Sequence, residues 1–265
     1  VSAKTIIKNT FRYLIIIAVT AVICLSGYEL WKISERYIHE SQVKKAVAQF
    51  RPQDLPEESQ KIKYIAEPEI ELPETEESVI NQFIVTLQNE INSDIVGWIN
   101  IPDTNIDYPF VISDNNSYYL RHDVFGNYAV AGTIFIDCRC PEDFTGFNTI
   151  IYGHNMNNNS MFGDLILFDD EGFFEENRFG TIFLKDRTYT LEFFAYMIIR
   201  EEDNIIYNPY ATPEDKNAFY EYTKRFARNY REPETECKVV TLSTCTYDGG
   251  ARIVLLANIK NKSRG

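Results

Sequence analysis

The chain has 265 residues, with 26 Lys and Arg against 39 Asp and Glu and a formal net charge of −13. That balance argues against nucleic acid, because phosphate recognition needs a basic stripe and none is present. Five Cys, at 24, 138, 140, 237 and 245, are too few and too scattered for a disulfide scaffold, and three His leave little room for a metal enzyme.

The charge is unevenly spread: residues 1–50 hold seven basic and three acidic side chains, and residues 51–80 hold three basic and nine acidic. Residues 1–12 read as a short basic tail, expected on the cytoplasmic side. Residues 13–31 read as a transmembrane signal anchor, built on an uncharged run from Tyr13 to Tyr28. Sixteen residues of helix reach roughly 24 Å, somewhat short of a roughly 30 Å hydrocarbon core. Phe11, Tyr13, Tyr28 and Trp31 suit the interface, and Arg12 can reach toward it. No small-residue cleavage pattern follows, which favours an anchor over a removed signal peptide. Basic residues on both flanks leave the orientation weakly encoded. Residues 32–77 read as a helical stalk passing into a Pro- and Glu-rich tether, with Pro52, Pro56, Pro68 and Pro73 among the acidic side chains.

The folded part is expected over 78–265. Val79, Ile80, Phe83, Ile84, Leu87 and Ile91 recur at helical spacing behind Ser78, a suitable N-cap. Short β-type runs then dominate, at 95–101, 106–111, 133–136, 149–152, 181–184, 188–199, 238–242 and 252–259, with turn residues between them. One clear helix is expected over 213–229, capped by Thr212 and opened by Pro213, with Ala218, Phe219, Tyr222 and Phe226 on one face. Many short strands with few helices predict a mainly β protein, a closed or half-closed barrel.

Residues 238–259 read as strand, turn, strand. A two-residue turn at Asp248 and Gly249 sets Cys245 directly opposite Arg252, whereas a turn at Gly249 and Gly250 sets Val254 there instead. In the first register a guanidinium beside the thiol favours thiolate and can donate to a nearby oxyanion. A thiol nucleophile also needs a proton shuttle. His154, between Gly153 and Asn155 at the end of an apolar run, is placed to face a groove, although a structural His is the plainer reading of that position alone. His122 reads as a hydrogen-bonding structural residue, and Cys138 and Cys140 as free thiols.

TLSTC (241–245) with a downstream Arg, together with NTIIYGHNM (148–156), resembles the class B sortases. The likeness extends through DIVGWINI (94–101), DYP (107–109), DNNSYYLRHD (114–123), AGTIFID (131–137) and SMFG (160–163), and so spans nearly all of residues 78–259. It implies a closed eight-stranded barrel with N-terminal helices and a helix before the Cys strand. By resemblance, Cys245, His154 and Arg252 are the catalytic residues, and Asn116, Leu120 and Ser243 contact substrate. The connection before the Cys strand walls the groove. The implied activity is cysteine transpeptidation: cleavage of a C-terminal sorting signal (N-P-x-T-x-like) of secreted proteins after Thr through a thioacyl enzyme. The acyl group then passes to an amine of a peptidoglycan precursor or a pilin. No metal or organic cofactor is implied, and the catalytic domain is expected outside a single-pass membrane anchor. The chain departs from the family in a seven-residue Cys-to-Arg gap, in IVLLANI after the Arg, and in the Cys138–Cys140 pair. The residues alone leave open a cysteine protease with the same acyl step, or an anchored binding module with a buried thiol at 245.

Overall fold

A computed structural model describes residues 3–51, 81–200, 203–210, 212–234, 237–246 and 249–261. The expected cap Ser78, nearly all of the tether and Asp248 of the hairpin turn lie outside the described residues. The chain forms two compact units, residues 1–43 and 44–265.

The first unit is helical, within α1 (Ala3–Ala48). Its apolar side chains are turned outward, as in Ile23, Leu25 and Leu30, each about two-thirds exposed. The helix is long and apolar enough to cross a membrane.

The second unit is built on β-strands. Helix α2 (Gln82–Glu90) buries Ile84 and Leu87, three residues apart on one face. Asn81, at its N-cap position, makes no capping bond; its side chain instead donates to the Leu184 and Arg187 carbonyls, binding the helix to the barrel. The strands are β1 (Ile95–Asn100), β2 (Asp107–Val111), β3 (Ile134–Ile136), β4 (Asn148–Tyr152), β5 (Phe179–Leu184), β6 (Thr188–Ile199), β7 (Asn229–Tyr230), β8 (Val239–Cys245) and β9 (Arg252–Asn261). They pair in the order β5-β1-β2-β3-β4-β8-β9-β6, and β6 returns to β5, closing an eight-stranded barrel with β7 as a short addition to β6. Closure removes the open edges that invite aggregation. Pairs β2–β3 and β4–β8 are parallel and the others antiparallel.

Side-chain alternation sorts the strands between two apolar layers. Along β9, Ile253, Leu255 and Ala257 enter the barrel core, while Val254 and Leu256 enter an outer layer with Phe147, Phe194 and Phe219. The apolar run from Ile253 to Ala257, in the segment that departs from the family pattern, thus reflects burial on both faces.

Two helical pieces escaped the strand pattern. A 3-10 helix (Gly163–Asp169) buries Leu165 and Phe168, and α3 (Glu171–Glu176) buries Phe174. The Asp170 carboxylate caps α3 by accepting from the Phe173 N–H at 2.8 Å. The helix expected over 213–229 is α4 (Pro213–Phe226), with Thr212 and Asp215 forming a reciprocal capping box. It stops three residues early because Asn229 and Tyr230 extend to pair with β6 as β7. Its inward face also differs from the expected one. Phe219 and Thr223 are buried, whereas Ala218 and Phe226 are exposed. Thr223 is accommodated by donating its hydroxyl to the Phe219 carbonyl at 2.8 Å.

Candidate active site

The β8–β9 hairpin resolves the register question. Cys245 ends β8 and Arg252 begins β9, and the two are paired directly. Thr246 N–H donates to the Ala251 carbonyl at 2.9 Å one step beyond, so the register with Val254 opposite Cys245 does not occur. On this shared face the Arg252 guanidinium, through Nη1, donates to Cys245 Sγ. A cation hydrogen-bonded to sulfur stabilises negative charge there and on any oxyanion formed beside it.

His154 arrives on the neighbouring strand. The parallel β4–β8 pairing sets Tyr152 level with Ser243, and Gly153 N–H continues it by donating to the Ser243 carbonyl at 3.2 Å. The chain then leaves the sheet, carrying His154 beyond the strand end. Asn155 Nδ2 donates to the Cys245 carbonyl at 2.9 Å, binding the His segment to the Cys strand. The imidazole Nε2 lies 2.8 Å from the Leu120 carbonyl. Asn116 and Leu120 lie on the long connection from β2 to β3, where Asn116 Oδ1 accepts the Cys138 N–H at 2.8 Å.

All six residues singled out from sequence (Cys245, His154, Arg252, Asn116, Leu120 and Ser243) line one cleft of about 380 Å³. The same cleft holds residues that sequence reasoning missed, among them Tyr207, Tyr152 and Arg139. Tyr207 sits on the connection between β6 and α4, and its hydroxyl shares a 2.8 Å hydrogen bond with Ser243 Oγ. Burial, only partly offset by the Ser243 bond and the Arg252 charge, pushes the Tyr207 pKa up to about 12. It therefore stays a neutral phenol at physiological pH. Tyr207 had no motif to mark it; only its place in the connection expected to wall the groove pointed to the segment.

Beneath the cleft lies a buried charge. Asp137 is fully buried, and Arg139 Nε and Nη2 bind its two oxygens at 2.9 and 2.8 Å. Tyr152 donates to the same carboxylate at 3.0 Å. Burial alone would raise the Asp137 pKa, but the Arg139 hydrogen bonds and charge outweigh it and hold the carboxyl below its ordinary range. Arg139 Nη2 also reaches the Tyr207 carbonyl at 3.2 Å, and Tyr210 donates to the Arg139 carbonyl. Buried Asn148 donates to the Ile206 carbonyl at 2.8 Å. Together these bonds fix residues 203–210 as one wall of the cleft.

The remaining thiols separate by environment. Cys138 is exposed; Cys140 is buried, and desolvation raises its pKa to about 11, so it stays a protonated thiol. His122, read as structural, stacks on Tyr118 with ring centroids 4.1 Å apart and does not line the cleft.

No protein-family model matches the chain. It is 33% identical over 172 residues to sortase B of Listeria monocytogenes, covering 62% of this chain and 70% of that protein. It is 31% identical over 175 residues to sortase B of Staphylococcus aureus, covering 64% and 72%. Among solved structures, a Staphylococcus aureus sortase B–substrate complex superposes with a TM-score of 0.65 at 30% identity, covering 69% of this chain and 87% of that one. Kinship at this level across most of the relatives' length, on the same closed barrel, means that the chain belongs to the class B sortases, a family of cysteine transpeptidases.

Proposed function

We propose that Cys245, His154 and Arg252 carry out sorting-signal transpeptidation. The observation that carries this reading is the Arg252 guanidinium donating to Cys245 Sγ in the cleft that His154 also lines. The peptide of a secreted protein lies in the cleft against Asn116, Leu120 and Ser243, a reading supported by the relative solved as a substrate complex. Cys245 Sγ attacks the Thr carbonyl, and Arg252 stabilises the tetrahedral oxyanion. His154 gives a proton to the departing amine as the C–N bond breaks, leaving a thioacyl enzyme. An amine of a peptidoglycan precursor or a pilin then attacks the thioester, His154 takes up its proton, and the C–S bond breaks to release the product and return the Cys245 sulfur. The apolar helix of the first unit anchors the enzyme in the cell membrane with the barrel outside, near both substrates.

The test is cleavage of N-P-x-T-x peptides with and without an added amine. Acyl transfer that rises with amine concentration, and an adduct on Cys245 released by hydroxylamine, is the expected result. A rate and product indifferent to the amine would make the enzyme a protease.

A further inference from the structure

The hydrogen bond between His154 Nε2 and the Leu120 carbonyl at 2.8 Å has a chemical consequence. A carbonyl carries no hydrogen and only accepts, so the proton of this bond sits on Nε2. In the neutral ring the lone pair is then on Nδ1.

The Leu120 carbonyl is itself held in place. On either side of it, the Tyr119 and Arg121 carbonyls accept from the Thr133 and Ala129 N–H groups, each at 2.9 Å, which leaves the intervening carbonyl directed at His154. Tyr119 is buried, and its hydroxyl donates to Asp94 Oδ2 at 2.7 Å while accepting from Asn92 Nδ2 at 2.8 Å. Asn92 also donates to the Val124 carbonyl at 3.0 Å, binding the far end of the same segment. Behind the peptide lies Gly132, with φ +58°, where an added Cβ would lie 2.4 Å from the Tyr119 oxygen and 2.9 Å from the Leu120 oxygen. Only glycine allows so close an approach.

We infer that Tyr119, anchored by Asp94 and Asn92 and backed by Gly132, is a positioning residue that fixes His154 through the Leu120 carbonyl, so that Nδ1 is the atom that exchanges protons. This rests on the assignment of His154 as the acid–base group. The thiol proton resides on Nδ1 while sulfur attacks, and the same proton passes to the leaving nitrogen as the C–N bond breaks. The other proton stays on Nε2, donated to the Leu120 carbonyl throughout.

With three His in the chain, isotope labelling of the full-length protein gives a simple imidazole spectrum, assigned with His154→Gln. The expected result is a bare Nδ1 in neutral His154 and a coupling across the hydrogen bond from Nε2 to the Leu120 carbonyl carbon. Tyr119→Phe and Gly132→Ala should weaken that coupling and lower kcat by about 10- to 100-fold with KM unchanged, part of the 10²–10⁴-fold that acid–base groups supply. Tyr119→Phe removes one oxygen, so it serves even where Gly132→Ala does not fold. A bare Nε2 in the wild type, or full kcat in variants that have lost the coupling, would overturn the inference. Full activity in His154→Gln would overturn the acid–base assignment instead, and would leave the ring's protonation pattern in the other proteins as it is.

Discussion

Arg252 is the residue where geometry and chemistry are most tightly joined. Its guanidinium reaches Cys245 Sγ from the facing strand, and a planar fork can hold sulfur and an incoming oxyanion together, which a Lys ammonium cannot do in the same way. Arg252→Lys keeps the charge and loses the fork, so kcat/KM for peptide cleavage should fall by roughly 10²–10³-fold, the scale of a lost oxyanion donor. The thiols should separate in alkylation of the native protein followed by peptide mass mapping. Cys138 and Cys245 should be modified, and Cys140 only after denaturation, since it is 4% exposed and held protonated. Modification of Cys140 in the folded state would mean that this part of the barrel opens readily. In the sequence, Cys245 opposite Arg252 was one of two registers the hairpin allowed, and His154 was marked by the sortase resemblance, since its strand-end position alone favoured a structural role. Tyr207, Tyr152 and Arg139 were not, because each enters the cleft through tertiary placement of a connection or through pairing to the buried Asp137.

Among the elements, the connection at 203–210 gains its order from other segments. Asn148 does two tasks: Nδ2 holds the Ile206 carbonyl, and Oδ1 accepts the Thr241 hydroxyl at 2.7 Å. Asn148→Ala strands two buried polar groups and should lower the unfolding free energy by about 3 kcal/mol in denaturant titration. Replacing 203–210 with the equivalent segment of another sortase should change motif preference in a peptide panel, because Tyr207 and its neighbours form a cleft wall. The strands were readable as β-branched and aromatic runs of the right length, to within a residue or two for most of them. β7 was not, since two residues carry no pattern. The 3-10 helix and α3 were hidden because dense apolar and acidic residues at 163–176 fit no single period. The face of α4 was misjudged because Thr223 reads as polar until its hydroxyl is seen bonded within the helix.

For the molecule as a whole, acid stability should follow Asp137. Its folded pKa lies below the ordinary value, so the carboxylate stabilises the barrel at any pH above about 4, and that contribution fades as pH falls through the lower folded value. Asp137→Asn should lower Tm at neutral pH and flatten the Tm-versus-pH curve below about pH 4. An acid limb as steep as that of the wild type would assign the pH dependence to other carboxylates. The barrel's strand order has a temporal consequence. β8 and β9 sit between β4 and β6, so strands made early in the chain have no neighbour across that gap until the final hairpin arrives. Cys245 and Arg252 are both on that hairpin, and the His154 segment is bound to it through Asn155. A nascent chain that has not yet delivered β9 is therefore an unclosed sheet, and the Cys245 thiol meets the Arg252 guanidinium in the same event that closes the barrel.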